Sequence, residues 1–433
     1  TLTETIARTM SSVPVEKAEE FLRFVWSNRL YTSLSPETIR IVGHGTENFD
    51  SGAELVNVQY ERDGKSFCGP AAVHHHASDW RKHLHHIDPK YDDCVLNIVF
   101  DDDAVICRTD GSVVPALTLT CPEELVDRYN RLIEGSRSYR CGKILGELPE
   151  VKRHALLTWL TIERLERKYN DFVQRYRLGG NNWNEAFYIT LFRTLGAGSN
   201  REPYEKLAQT VSYVQICRIK ESLPAVEALL LGGAGLLDAE YPDDYTYRLQ
   251  QEFRHLQRRF DILPMRRNEW ETMRHHPNHT PIIRIVELAA LLASEDFLFS
   301  RLIECKSYDE VQKILDVQTS EYWTTHYRPS QSSRYSVKGF GHMMICNMCI
   351  NLVAPMIFTY GKISQNEEMK ERAIDLLEQI PAENNTYIRN WQYKGIAAEN
   401  AFFTQGLLQL SKEYCEKKRC TECNIGKSVM CSR

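Results

Sequence analysis

The sequence lacks several things that would settle its class at once. It has no excess of basic charge: 53 Lys and Arg stand against 58 Asp and Glu, a net charge of −5. That excludes a globally basic nucleic-acid coat, though not a local basic face. It has no uninterrupted apolar run of the ~20 residues needed to cross a bilayer. The longest, Met343–Phe358, is broken by Asn347, Asn351 and Pro355 and reads as a buried core helix. There is no fixed-period repeat, no low-complexity linker, and no basic-then-apolar leader over Thr1–Ser11. Phosphate-loop, nucleophile-elbow, His-Glu-x-x-His and dinucleotide motifs are all missing. Cysteine is sparse for a disulfide scaffold, 13 in 433 residues and odd in number. Free thiols in a reducing compartment are expected, and with them a cytoplasmic protein.

With 42% hydrophobic and 26% charged residues, the chain has the composition of a globular protein. Its length makes two or three domains the prior. A helical pattern over Val15–Leu30 is followed by short β-branched segments: Thr38–His44, Glu54–Arg62, Ser66–His74, Cys94–Phe100 and Ala104–Thr109. Asp63-Gly64 between two of them is a hairpin signal. One helix is expected at Ser78–His86. After Pro122 the periodicity is helical. In His154–Arg177, Ile162, Leu165, Tyr169, Phe172 and Tyr176 form one apolar stripe, with Arg164 and Lys168 among the charged residues between. The expected fold is α+β: a helix in 1–35, a small mixed α/β domain in 36–121, and a large all-α domain in 122–433 that ends in a cysteine cluster.

Four constellations carry chemistry. Six of the 14 histidines, His74, His75, His76, His83, His85 and His86, crowd beside Asp79 and Asp88. Imidazole suits zinc and other borderline metals, so His74, His76, Asp79 and His83 are candidates for a metalloenzyme site. Asp50 and Glu54 open one strand, and the next runs to Ala72-Val73-His74. Metal-dependent nucleases place carboxylates at such positions to hold Mg²⁺ or Mn²⁺. Cys415-x4-Cys420-x2-Cys423 suits zinc or an iron–sulfur cluster, with Cys141 or Cys431 as a fourth ligand. Arg254, Arg258, Arg259, Arg266 and Arg267 form a local basic stripe able to meet a phosphate backbone.

The sequence resembles the Bacteroidota family known as domain of unknown function 2851. The likeness runs along Phe24-Val-Trp-Ser-Asn-Arg-Leu, Gly45-Thr-Glu-Asn-Phe-Asp-Ser-Gly, Trp183-Asn-Glu-Ala-Phe, Tyr322-Trp-Thr-Thr-His-Tyr and Cys420-Thr-Glu-Cys423-Asn-Ile-Gly. The resemblance implies an N-terminal region similar to a PD-(D/E)XK nuclease core. Against that pattern the first acidic position reads Glu54, the second reads Ala72, and a histidine is kept as His74. Ala72 cannot bind metal. The resemblance therefore implies a nucleic-acid-associated protein whose nuclease site is degenerate, with Glu54, Asp50, His74 and His83 as its residual acid–base and metal-contacting groups. The rival readings are an assembly scaffold that binds protein partners through its helices, and the histidine-rich metalloenzyme. A membrane role is not expected.

Overall fold

The computed structural model describes residues 13–48, 51–133, 141–196, 200–271 and 279–431. The chain forms two compact units. The first takes Thr1–Leu148, Tyr393–Ile396 and Leu410–Arg433, and the second Pro149–Gln392 and Ala397–Gln409. The division thus falls after residue 148 rather than after 121. The cysteine-rich segment belongs with the β-rich unit, not with the helical one.

In the first unit, α1 (Val15–Ser27) leads into a six-stranded sheet of order β1-β8-β5-β4-β3-β2. The strands are β1 (Ser33–Ser35), β2 (Ile39–Glu47), β3 (Leu55–Arg62), β4 (Lys65–His76), β5 (Leu96–Asp101) and β8 (Ala116–Thr120). β2, β3 and β4 form an antiparallel meander, while β4–β5 and β5–β8 pair in parallel. The Asp63-Gly64 turn closes β3 on β4 as expected, Arg62 pairing with Lys65 and both turn residues holding positive φ. β6 (Ile106–Cys107) and β7 (Val113–Val114) make a separate small ribbon.

Alternation along β4 sorts its side chains to two faces. Ala71 and Val73 join a core with Phe21, Leu22 and Trp26 of α1, Ile98 of β5, and Tyr129 of α3 (Glu123–Ile133). Ala72 faces the other way, into a smaller cluster with Ala53, Trp80, Tyr91, Cys94 and Val99. His74, two residues on, shares that second face. β5 is covered on both faces, which is why Leu96–Phe100 reads as an unbroken apolar run apart from Asn97.

Among its described residues the second unit is helical save for a two-stranded ribbon, His326–Arg328 with Gln331–Ser332, and an isolated bridge between Pro381 and Asn400. Its longest helix, Glu150–Leu178, stops at Gly179. The apolar stripe expected there exists, but its charged residues are not all in solvent. Arg164 is buried and its Nε donates to Gln405 Oε1 at 2.6 Å. Lys168 Nζ donates to Ile350 O and Asn351 Oδ1, both at 3.0 Å. Polar partners on neighbouring helices make that burial tolerable. One helical stretch, His342–Ile363, has the length and apolarity to cross a membrane, and 67% of its apolar window is buried inside the protein. That burial fits the core helix read from the sequence.

Candidate metal centre

The crossover from β4 to β5 builds the site. The helix expected at Ser78–His86 is only one turn, α2 (Asp79–Lys82), followed by 3-10 turns at His85–Ile87 and Pro89–Tyr91. The break is Leu84, a left-handed residue at φ 63°, ψ 20°. In a continued helix, His83 and His85 would project to nearly opposite sides. The left-handed residue between them brings both rings to the same place. Such a conformation costs a non-glycine residue of order 1–3 kcal/mol and tends to persist at functional sites.

His74, His83 and His85 are thereby gathered into a triangle. Their ring centroids are 5.4, 5.2 and 5.5 Å apart, and one ligand nitrogen from each lies within 4.8 Å of the others. His74 is buried, and its Nδ1 lies 2.7 Å from Asn97 Oδ1. Its Nε2 is buried with no hydrogen-bond partner. His85 is buried against Tyr91, the rings stacked at 3.7 Å. Tyr91 is held in turn by donating to Gly52 O at 3.2 Å. Burial, with His74 and His83 alongside, depresses the His85 pKa to about 4, so it is neutral at pH 7 and available as a ligand. His83 is the solvent-facing member; its Nδ1 stands 3.9 Å from Glu19 Oε1.

Two carboxylates border the triangle. Burial raises the Glu19 pKa; nearby Glu54 and Asp79 raise it further, while His74 and His83 lower it. Glu54 precedes β3, and its Oε2 accepts the Val73 N–H at 3.0 Å. Leu55 pairs with Ala71, so Glu54 stands level with Ala72 on β4. Glu54 and Ala72 are thus neighbours in space, and Ala72 is a buried methyl group.

The remaining sequence candidates fall elsewhere. Asp50 lies outside the described residues. Asp79 is spent locally, Oδ2 accepting the His76 N–H at 2.9 Å and Oδ1 pairing with Lys82 at 2.6 Å. His76 turns to Asp101, 3.3 Å away. His76 and Asp79 therefore leave the expected group, and His85 takes their place. Sequence reasoning missed His85 and Glu19 as members. The His-x-His spacing of His83 and His85 is the signal for the first; for Glu19, on α1, there is none.

On the second unit, Arg254, Arg258 and Arg259 are exposed on the helix Asp244–Phe260, and Arg266 and Arg267 follow it, also exposed. Arg267 is engaged by Asp238 and Tyr241, both at 3.2 Å. Arg266 borders a groove of about 810 Å³ with Lys206, Gln215, Phe260 and Leu263. Cys141, Cys415, Cys420 and Cys423 all lie in the first unit.

Among known proteins, no curated protein and no solved structure matches the chain. A family match covers residues 19–386, which takes in the imidazole triangle, both carboxylates and most of the helical unit. The chain belongs to that family, described as a protein of unknown function (DUF2851).

Proposed function

We propose that this protein is a nucleic-acid-associated, metal-dependent phosphodiesterase whose metal is held by His74, His83 and His85 in place of the carboxylate missing at Ala72. The observation that carries this reading is the imidazole triangle, with one corner nitrogen buried and unpartnered. Three imidazoles beside carboxylates favour zinc, manganese or iron over magnesium. A divalent ion there would polarise a phosphoryl oxygen and acidify a water. Glu19, its pKa raised by burial, is placed to take a proton, and Glu54 to orient the reacting water or add a ligand.

Further support comes from topology. A helix, an antiparallel three-strand meander and a crossover to a parallel strand support the reading of a PD-(D/E)XK-like core. The Glu54–Ala72 pairing places the departure from that core beside the histidines. The arginine stripe and its neighbouring groove offer a surface for a phosphate backbone.

The test is metal content and cleavage. Purified protein should bind one zinc or manganese per chain at the triangle. His74→Ala and His85→Ala should lose it, and with it Mn²⁺- or Zn²⁺-supported cleavage of single- or double-stranded DNA or RNA. Binding to the same substrates should weaken steeply with salt. Absence of both metal binding and salt-dependent binding overturns the reading. A stoichiometric protein complex, insensitive to nuclease and salt, would then favour an assembly scaffold.

A further inference from the structure

A second constellation lies in the helical unit, at the head of the run that the sequence marks as a core helix. That run opens as the helix His342–Met348, and its first turn is at the surface: Gly341, His342 and Met343 are exposed. His342 and Cys346 are four residues apart and so share one face of the helix. Cys346 is half-buried, while Cys349 one turn further on is fully buried. Tyr308 comes to the same place from the start of another helix, Tyr308–Leu315. Ser307 caps that helix, its Oγ accepting the Glu310 N–H at 3.3 Å, and the Tyr308 N–H donates to Gln379 Oε1 at 2.9 Å. The Tyr308 ring is thereby fixed and buried, with its hydroxyl turned to His342 and Cys346.

The three side chains close a triangle. Cys346 Sγ lies 3.6 Å from His342 Nε2 and 3.1 Å from Tyr308 Oη, and Tyr308 Oη lies 3.4 Å from His342 Nδ1. A nucleophile, a base within reach of it and a third group that orients the base is the arrangement that activates a weak nucleophile. Here each ring nitrogen of His342 has its own partner, so the imidazole is aimed at the sulfur from behind. Burial, followed by the bond to Cys346, raises the Tyr308 pKa, and the phenol keeps its proton as a donor at pH 7.

The triangle accommodates the thiolate without rearrangement. With the thiol S–H donating to Nε2, Nδ1–H donates to the Tyr308 oxygen and the Tyr308 O–H donates back to the sulfur. Moving the thiol proton to Nε2 breaks none of these contacts. The sulfur then accepts from both Nε2–H and the phenol, and the imidazolium holds one transferable proton beside it. A reactant that needs both a nucleophile and a proton for its leaving oxygen suits this pair, and a hydroperoxide needs both. The thiolate attacks the terminal peroxide oxygen, an S–O bond forms and the O–O bond breaks. The leaving oxygen takes the proton from Nε2 and departs as water or an alcohol. The sulfur, oxidised by two electrons, is left as a sulfenic acid.

We propose that Cys346 is a nucleophilic thiol that hydroperoxides oxidise to a sulfenic acid, with His342 as its base and Tyr308 as a positioning residue. The test uses the full chain at pH 7, with iodoacetamide labelling followed site by site by mass spectrometry. Cys346 should label faster than Cys68, which is exposed on β4, although Cys346 is the less accessible of the two. A free thiol is only a few per cent thiolate at pH 7, so a gain of about tenfold is within reach. His342→Ala should remove that gain, and Tyr308→Phe should remove part of it, with Cys68 labelling unchanged in both. Buried Cys349 serves as the folding control, since it labels only if the helix opens. Hydrogen peroxide followed by dimedone should place the sulfenic acid adduct on Cys346 ahead of Cys68. The proposal is overturned if Cys346 labels no faster than Cys68, if His342→Ala labels at the wild-type rate, or if peroxide leaves no dimedone adduct at Cys346. Should His342→Ala fail to fold, the comparison of Cys346 with Cys68 in the wild-type protein still decides.

Discussion

Asn97 Oδ1 accepts a hydrogen bond from His74 Nδ1 at 2.7 Å, and neither residue reaches solvent. This one bond sets the imidazole tautomer: the proton is on Nδ1, and the buried Nε2 keeps a lone pair with no donor facing it. An unpaired buried acceptor costs about 1–3 kcal/mol, which an ion on Nε2 would recover. Asn97→Leu is expected to weaken metal binding by about 10–100-fold, the usual cost of losing an outer-shell partner. Asn97→Asp, which keeps the acceptor, should weaken it less. Competition titration with a chromogenic chelator reads both, and equal affinities for Asn97→Leu and wild type would remove Asn97 from the site.

Ala72→Glu returns a carboxylate to a buried position beside Glu54. In the absence of a divalent ion, the charged side chain has no cation to meet and must displace packing against Trp80 and Tyr91. The variant should therefore melt below wild type in chelator and recover when Mn²⁺ is added, because an ion that binds only the folded state stabilises it. It should also gain Mg²⁺-dependent cleavage. A Tm that ignores Mn²⁺ would mean the two positions do not share a cation.

Stability should fall as pH drops from about 6.5 toward about 4. The sign follows from His85, whose folded pKa is depressed from 6.5 to about 4. In that window the unfolded chain binds a proton that the folded chain refuses. The contribution is absent above the window and complete below it. His75 and His44, both lowered chiefly by burial, act in the same direction. Thermal melts of metal-free protein across this range should show a shallower fall for His85→Gln. An identical slope would place the titration elsewhere.

Gly426→Ala should be strongly destabilising, because its new methyl group meets the rigid Cys420 carbonyl. Gly146, inside the helix Gly142–Glu147, has nothing within 4 Å of an added Cβ. Gly146→Ala should stabilise by about 0.5–1 kcal/mol, the ordinary gain of alanine over glycine in a helix. Denaturant midpoints of the pair give the comparison. If Gly426→Ala is harmless, the loop holding Cys420 and Cys423 is not closely packed on the helix Asn424–Cys431.

Much of the fold is legible in the sequence because its signals are local. Asp63-Gly64 marks the hairpin, the apolar run at Leu96–Phe100 marks the strand covered on both faces, and the 3,4 spacing after residue 154 marks the long helix. The site is legible only in part. Glu54, His74 and His83 can be named from spacing. His85 cannot be placed without knowing that Leu84 turns left-handed, since a helical reading of Ser78–His86 sends the two rings apart. Arg164 and Lys168 read as solvent-facing because their polar partners, such as Gln405, come from distant parts of the chain. The domain boundary fails for the same reason: nothing local in Leu410–Cys431 says that it folds with the first 148 residues.

That last feature bears on how the protein is made. The first unit is discontinuous, closed by residues that follow the whole of the second in sequence. During synthesis its sheet emerges early, while the helix Asn424–Cys431 and the cysteine loop against which it is completed are still untranslated. The helical unit, nearly continuous and rich in local contacts, can fold in that interval. The nascent chain therefore carries an unfinished sheet, with part of its apolar face uncovered, until Leu410–Cys431 has been made. His74, His83 and His85 are all made early, whereas the segment that completes their unit follows the whole of the helical one.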